Sequence, residues 1–212
     1  MVPYRALWSN ADFAEHVLGN KLKVGDNIIS ILPMAHMYGM SFEFLFEFIK
    51  GCHIFFLTRI PSPAIIAAAF AEVKPRVIIS VPLIIEKIIK KKVFPKIQDP
   101  KMRLLMKMPG INRKVYEKIC TQVTQAFGGN FYEIIIGGAA FNQEVEAFLH
   151  QIHFHYTVGY GATECAPIIC YADYQEFVPG SCGKAALHMQ VRIDSSDPQN
   201  VPGEILCKGP NV

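Results

Sequence analysis

Glu133-Ile134-Ile135-Ile136-Gly137-Gly138-Ala139-Ala140-Phe141-Asn142-Gln143 decides the fold. An apolar run, Glu133 to Ile136, is too short for a helix and carries β-branched residues on both faces, so it reads as a strand buried on both sides. Two glycines stop it, and Asn142 to Gln151 then reads as a helix. The same alternation recurs outward along the chain. Ile28 to Leu32 halts at Pro33, Cys52 to Leu57 and Val77 to Val81 are further apolar runs, and His155 to Val158 is another, while Pro63 to Glu72 and Pro82 to Lys92 read as helices. Short buried strands separated by helices predict an α/β fold: a mostly parallel sheet covered by helices on both faces. Ser41 to Phe48 fits both a strand alternation and a helical stripe, and connectivity between two parallel neighbours favours helix. Phe94 to Gly110 is expected to be an exposed excursion, followed by a helix near Arg113 to Phe127 that stops at Gly128-Gly129.

From about Ile168 the chain becomes turn-rich, with short segments such as Met189 to Ile193 and Glu204 to Cys207 between Pro-Gly and Ser/Asn-rich turns. The expected division is an α/β part over 1–167 and the start of a truncated, barrel-like β subdomain over 168–212.

Composition narrows the function classes. A chain of 212 residues that is 51% hydrophobic and 18% charged can bury a real core, which excludes disordered, collagen-like and disulfide-scaffold classes. Charged residues interrupt every greasy stretch before it reaches the roughly 18 apolar residues of a membrane span. No apolar leader follows Met1, so a cytoplasmic address is expected. The six cysteines form no Cys-x-x-Cys pair and read as reduced packing residues.

Three segments carry chemistry. Gly137-Gly138-Ala139 lies at the carboxyl end of a strand, where open sheets bind ligands and a following helix offers N–H groups to anions; taken alone, a Gly-Gly there is also an ordinary turn. Tyr160-Gly161-Ala162-Thr163-Glu164 follows another strand and combines a ring that can lie on a planar base, a hydroxyl for a phosphate oxygen and a carboxylate for Mg²⁺. Pro33-Met34-Ala35-His36-Met37-Tyr38-Gly39 places His36 where the first strand meets its loop, a position that suits a structural as well as a catalytic histidine.

In this order and context the three segments resemble the adenylate-forming superfamily of acyl-CoA synthetases, luciferases and peptide-synthetase adenylation domains, and most resemble bacterial long-chain fatty-acid–CoA ligases. The likeness extends to Pro179-Gly180-Ser181-Cys182-Gly183-Lys184, to Gly203-Glu204-Ile205-Leu206 and to the opening Tyr4-Arg5-Ala6-Leu7. It implies attack of a carboxylate on the ATP α-phosphate, then attack of the coenzyme A thiol on the acyl adenylate. It further implies that Gly137, Gly138 and Ala139 border adenine, that Tyr160 stacks on it with Gly161 alongside, and that Thr163 meets the α-phosphate or acyl carboxylate. Glu164 would coordinate Mg²⁺, and His36 would stand by the acyl carboxylate and the thioester-forming tunnel. The family's phosphate loop is expected before Met1, and its ribose-binding aspartate, hinge and adenylation lysine after Val212, so these 212 residues alone are expected to lack ligase activity, to bind nucleotide weakly and to need flanking domains as partners. The Phe-rich 42–48 segment suggests an apolar lining and hence a fatty acid substrate.

Two other readings compete. Lys87 to Lys118 holds eleven of the twenty-one basic residues against Asp99 and Glu117, which suits an anionic membrane contact, with nucleic acid disfavoured by the absence of a stacking platform. His150, His153 and His155 could hold a metal, but their neighbours supply no convincing further ligand.

Overall fold

The computed structural model describes residues 1–59 and 61–212. Helix α1 (Tyr4–Leu18) leads to strand β1 (Asn27–Ser30), and a continuous helix α2 over 37–50 carries the chain to β2 (His53–Phe56). Helix α3 (Pro63–Val73) precedes β3 (Ile78–Ser80); helix α4 over 82–97, α5 (Pro100–Lys107) and α6 (Asn112–Ala126) then precede β4 (Ile134–Ile136). Helix α7 (Gln143–Gln151) leads to β5 (Tyr156–Val158).

Strands β1 and β2 pair in parallel, as do β3, β4 and β5 in the order 3-4-5. The two parallel units meet where the Arg76 N–H, just before β3, donates to the Asn27 carbonyl at 2.8 Å. Register explains why the strands read as unbroken apolar runs. Ile78, Ile134 and Tyr156 are aligned and fall in one buried cluster with residues of α3, α4, α6 and α7, while Ile28, Ile79 and Ile135 fall in a second cluster with Phe13 and Leu18 of α1 and Phe42 and Phe46 of α2. Helices therefore cover both faces, as the sequence predicts. Each fully buried isoleucine contributes roughly 1.5–3 kcal/mol of transfer free energy.

The ambiguous 41–48 segment is helical, with a π-turn at Ser41–Leu45 that widens the helix. The 94–110 excursion is more ordered than its prolines suggest. Helix α4 continues through Pro95 after a π-turn at Ile89–Val93, Phe94 is buried in the core, and Asp99 caps α5 by accepting from Lys101 and Met102 N–H at 2.9 and 3.3 Å. The physical reason is that Pro100 at the first helical position needs no N–H partner and so starts a helix as readily as it ends one.

The turn-rich end forms two antiparallel units and no closed barrel. β6 (Tyr160–Gly161), β7 (Ile168–Tyr171) and β8 (Lys184–Ala185) make one sheet, and β9 (Gln190–Asp194) with β10 (Glu204–Lys208) a hairpin. The β6–β7 ladder straddles the boundary expected at 167/168. Among the described residues no helix is long and apolar enough to cross a membrane.

Candidate active site

Because β3, β4 and β5 run the same way, their carboxyl ends face one edge, and the loops that follow β4 and β5 converge there with the loop that follows β1. They enclose a cavity of about 300 Å³ lined by His36, Gly137, Gly138, Tyr160, Gly161, Thr163 and Glu164 together with apolar side chains that include Phe13, Phe42 and Ile168. A second cleft of about 470 Å³ adjoins it, bordered by Ala139 and sharing Gly138, Tyr160 and Gly161. All eight residues singled out from the sequence thus fall on two adjoining spaces, with Tyr160 standing between them.

Each motif residue has a local cause for its position. His36 is the N-cap of α2, and its Nδ1 accepts the Tyr38 N–H at 3.2 Å. An acceptor Nδ1 puts the proton of a neutral ring on Nε2, which leaves the exposed side of the imidazole as a donor. Gly137 packs against the Tyr38 ring, where a Cβ would fall 3.2 Å from Cζ, and Gly138 adopts φ +87°, a conformation glycine reaches without strain. Asn142 caps α7 through its Oδ1 to Val145 N–H at 3.1 Å, while its own N–H donates to Glu86. A Cβ at Gly161 would collide with the Pro167 carbonyl, so β6 can pair with β7 only through glycine. Thr163 and Glu164 form an exposed 3₁₀ turn whose side chains are open to a ligand.

Behind this edge lies a set of buried polar clamps that sequence reading missed. Asn10, on the inward face of α1, donates to Ala6 and Cys165 carbonyls at 2.8 and 2.9 Å and accepts the Ile168 N–H at 2.9 Å, tying that helix to the chain that leaves the Thr163–Glu164 turn. Ser41 Oγ donates to the Ala166 carbonyl at 2.7 Å, and Tyr38 Oη to Ile135 at 3.0 Å. Glu43, inside the π-turn, receives Ser30 Oγ and the N–H groups of Ile31 and Leu32 on its Oε2, at 3.1, 3.1 and 2.9 Å. The strand end that launches the His36 loop is therefore pinned by a carboxylate. Burial raises its pKa to about 7, although the three donors pull the other way. Glu47, one turn on, is driven well above the usual range by burial, with the Glu43 charge adding to the shift. On the far side of the edge the Tyr171 hydroxyl donates to Glu133, whose pKa burial also raises to about 7. The available signal was a charge inside an apolar run, as in Phe42-Glu43-Phe44, since a carboxylate is seldom buried without partners.

Of the three histidines weighed as metal ligands, His155 has other partners. His155 Nδ1 donates to the Tyr132 carbonyl at 3.1 Å and its ring stacks on Tyr174. Among the described residues no group of three or more His, Cys, Asp or Glu side chains is gathered to hold a metal ion.

Over residues 1–212 the chain matches the family described as AMP-binding enzyme. It is similar to long-chain-fatty-acid–CoA ligase 3 of Saccharomyces cerevisiae, with 27% identity over 210 residues that cover 88% of this chain and 29% of that protein. It is also similar to 2-succinylbenzoate–CoA ligase of Bacillus cytotoxicus, with 36% identity over 110 residues, 46% of this chain and 22% of that protein. The solved structure of O-succinylbenzoate coenzyme A synthetase from Bacillus subtilis in complex with ATP and magnesium superposes with a TM-score of 0.69 at 19% identity, covering all of this chain and 38% of that one. ATP-bound MatB from Rhodopseudomonas palustris gives a TM-score of 0.69 at 19% identity, over 100% and 37% of the two chains. At such identities the superpositions establish a shared fold. The chain spans less than a third of the length of these curated relatives.

Proposed function

We propose, from the premise that this chain belongs to the AMP-binding enzyme family, that it supplies the adenine, α-phosphate and carboxylate side of an ATP-dependent acyl-CoA ligase site. The observation that carries this reading is the convergence of His36, Gly137, Gly138, Tyr160, Gly161, Thr163 and Glu164 on one cavity that also has an apolar wall. A nucleotide needs a flat platform and a charged end, and a fatty acid needs an apolar slot beside that end. In this reading the residues up to 167 carry the three loops, and Ile168 and Tyr171 of β7 add to the cavity wall beside the β6–β7 ladder.

In this reading adenine lies between the Gly137–Ala139 backbone and the Tyr160 ring, and Thr163 positions the α-phosphate against the substrate carboxylate. A carboxylate oxygen attacks the α-phosphorus, the bond to the bridging oxygen breaks, and pyrophosphate leaves. The thiol sulfur of coenzyme A then attacks the acyl carbonyl, AMP departs with the bond's electron pair, and the thiol proton passes to solvent. Rate enhancement comes from alignment and from donors aimed at developing charge, here the Thr163 hydroxyl and the Nε2–H of His36. Glu164 fits Mg²⁺, a hard cation that takes one or two carboxylates plus substrate phosphates; bound there, the ion would neutralise phosphate charge.

The substrate class we favour is a long alkyl carboxylate. Phe13, Val17, Leu18, Phe42, Ile79 and Ile168 line the cavity next to the polar end, and a named relative acts on long-chain fatty acids. A pair of non-hydrolysable acyl-sulfamoyl adenosines tests this by calorimetry. Tighter binding of the hexadecanoyl compound than of the succinylbenzoyl compound is expected; the reverse order would transfer the site to aryl acids, and binding of neither would remove the ligase reading.

A further inference from the structure

The basic segment takes no part in the cavity just described, and it leaves large apolar side chains in the open. Helix α5 buries none of its residues fully, and along it and the turn that follows Leu104 is 63% exposed, Met108 39% and Ile111 41%. Exposed lysines and arginines stand among these apolar side chains: Lys101, Arg103, Lys107, Arg113 and Lys114. Behind α5, between the end of α4 and α6, a groove of about 470 Å³ is lined by Val93, Ile97, Met102, Leu105, Val115 and Ile119, with the exposed Lys92, Lys96 and Lys118 also contributing to its wall.

We propose that this face docks on an anionic phospholipid surface, with Leu104, Met108 and Ile111 entering the headgroup boundary and the lysines holding lipid phosphates. Three observations select that partner. Over Lys87 to Lys118 eleven lysines and arginines stand against two carboxylates; Glu117 pairs with Arg113 at 3.0 Å and Asp99 caps α5, so a large positive excess is left for an anionic partner. Apolar side chains interleaved with long cationic ones match an interface that is greasy below and anionic above, because lysine stems lie along the apolar layer while their heads reach phosphate. Nucleic acid is a poorer fit, since the segment's two aromatic rings are unavailable for stacking: Phe94 is buried, and Tyr116 is half-buried with its hydroxyl bonded to Met106 and Gln151. The inference does not rest on the ligase reading, and its assay reads neither nucleotide nor turnover.

The test is co-sedimentation of the chain with vesicles of phosphatidylcholine alone or with about a third phosphatidylglycerol, at low and high salt. Binding to the anionic vesicles only, weakened by salt, is expected. Leu104→Ser with Met108→Ser, which leaves charge unchanged, lowers partitioning by about tenfold, and Lys101→Glu with Lys107→Glu lowers it at least as much. All four positions are exposed, so unaltered thermal melting should accompany these losses. The proposal is overturned by absence of vesicle binding, by equal binding to neutral vesicles, or by charge reversal without effect. It is equally overturned if polyuridylate binds as tightly as the anionic vesicles and the serine pair changes neither.

Discussion

At the carboxyl edge of the sheet Asn10, Tyr38, Ser41 and Glu43 are buried and each is hydrogen-bonded across elements, whereas α5 leaves Leu104 mostly exposed and buries nothing completely. The first region holds its loops by polar clamps set in a dense core, and so can present His36, Tyr160 and Thr163 in fixed relation. The second is held by partial apolar contact and one capping aspartate, and so presents a surface. A pinned edge suits chemistry that needs alignment, and a loosely buried, cationic face suits a broad, deformable partner.

The contrast is broken most severely from its foundation. Phe70, fully buried against Phe127 beneath the sheet, should lose roughly 3–5 kcal/mol on Phe70→Ala, read by urea denaturation. A loss below about 1 kcal/mol would mean that the core does not support the edge as described. Gly161→Ala comes next: a methyl group facing the Pro167 carbonyl must displace the β6–β7 ladder, and Mg-ATP affinity should fall at least about tenfold with little change in the far core. Unaltered affinity would show that the ladder does not position Tyr160.

The buried carboxylates sharpen the contrast through pH. Glu43 and Glu133 rise from an ordinary 4.5 to about 7 through burial, so between those values the folded state binds more protons than the unfolded one. Their contribution is therefore fully present below about pH 4.5 and is lost as pH rises through about 7. Glu43→Gln should flatten part of that decline while keeping an oxygen for Ile31 and Leu32; an unchanged slope would place the titration elsewhere. At the small end, Leu104→Ser should alter stability by no more than about 0.5 kcal/mol, and a larger loss would reveal a buried role for α5.

Sequence made the scaffold and motif positions legible because they depend on local rules. Strands such as Ile134–Ile136 are buried on both faces and leave an unbroken apolar signature, and glycines such as Gly137 and Gly138 mark close approach and positive φ. The clamps were not legible, since Asn10 and Ile168 lie 158 residues apart and nothing local announces their pairing. Nor did the prolines of 94–110 disclose that one would be tolerated inside α4 and another would begin α5, because the same residue ends or starts a helix according to which backbone groups already have partners. The π-turn at Ser41–Leu45 escaped for a related reason: Glu43 reaches β1 from it, a long-range demand that the 3.6 period does not encode.

The central claim is that Tyr160 is the nucleotide platform of this edge. Calorimetric titration of the chain with Mg-ATP, compared with Tyr160→Ala and Tyr160→Phe, tests it most directly. The account predicts that alanine removes about 1–3 kcal/mol of binding, the range of base–aromatic stacking, while phenylalanine retains most of it. Equal binding by all three would contradict it.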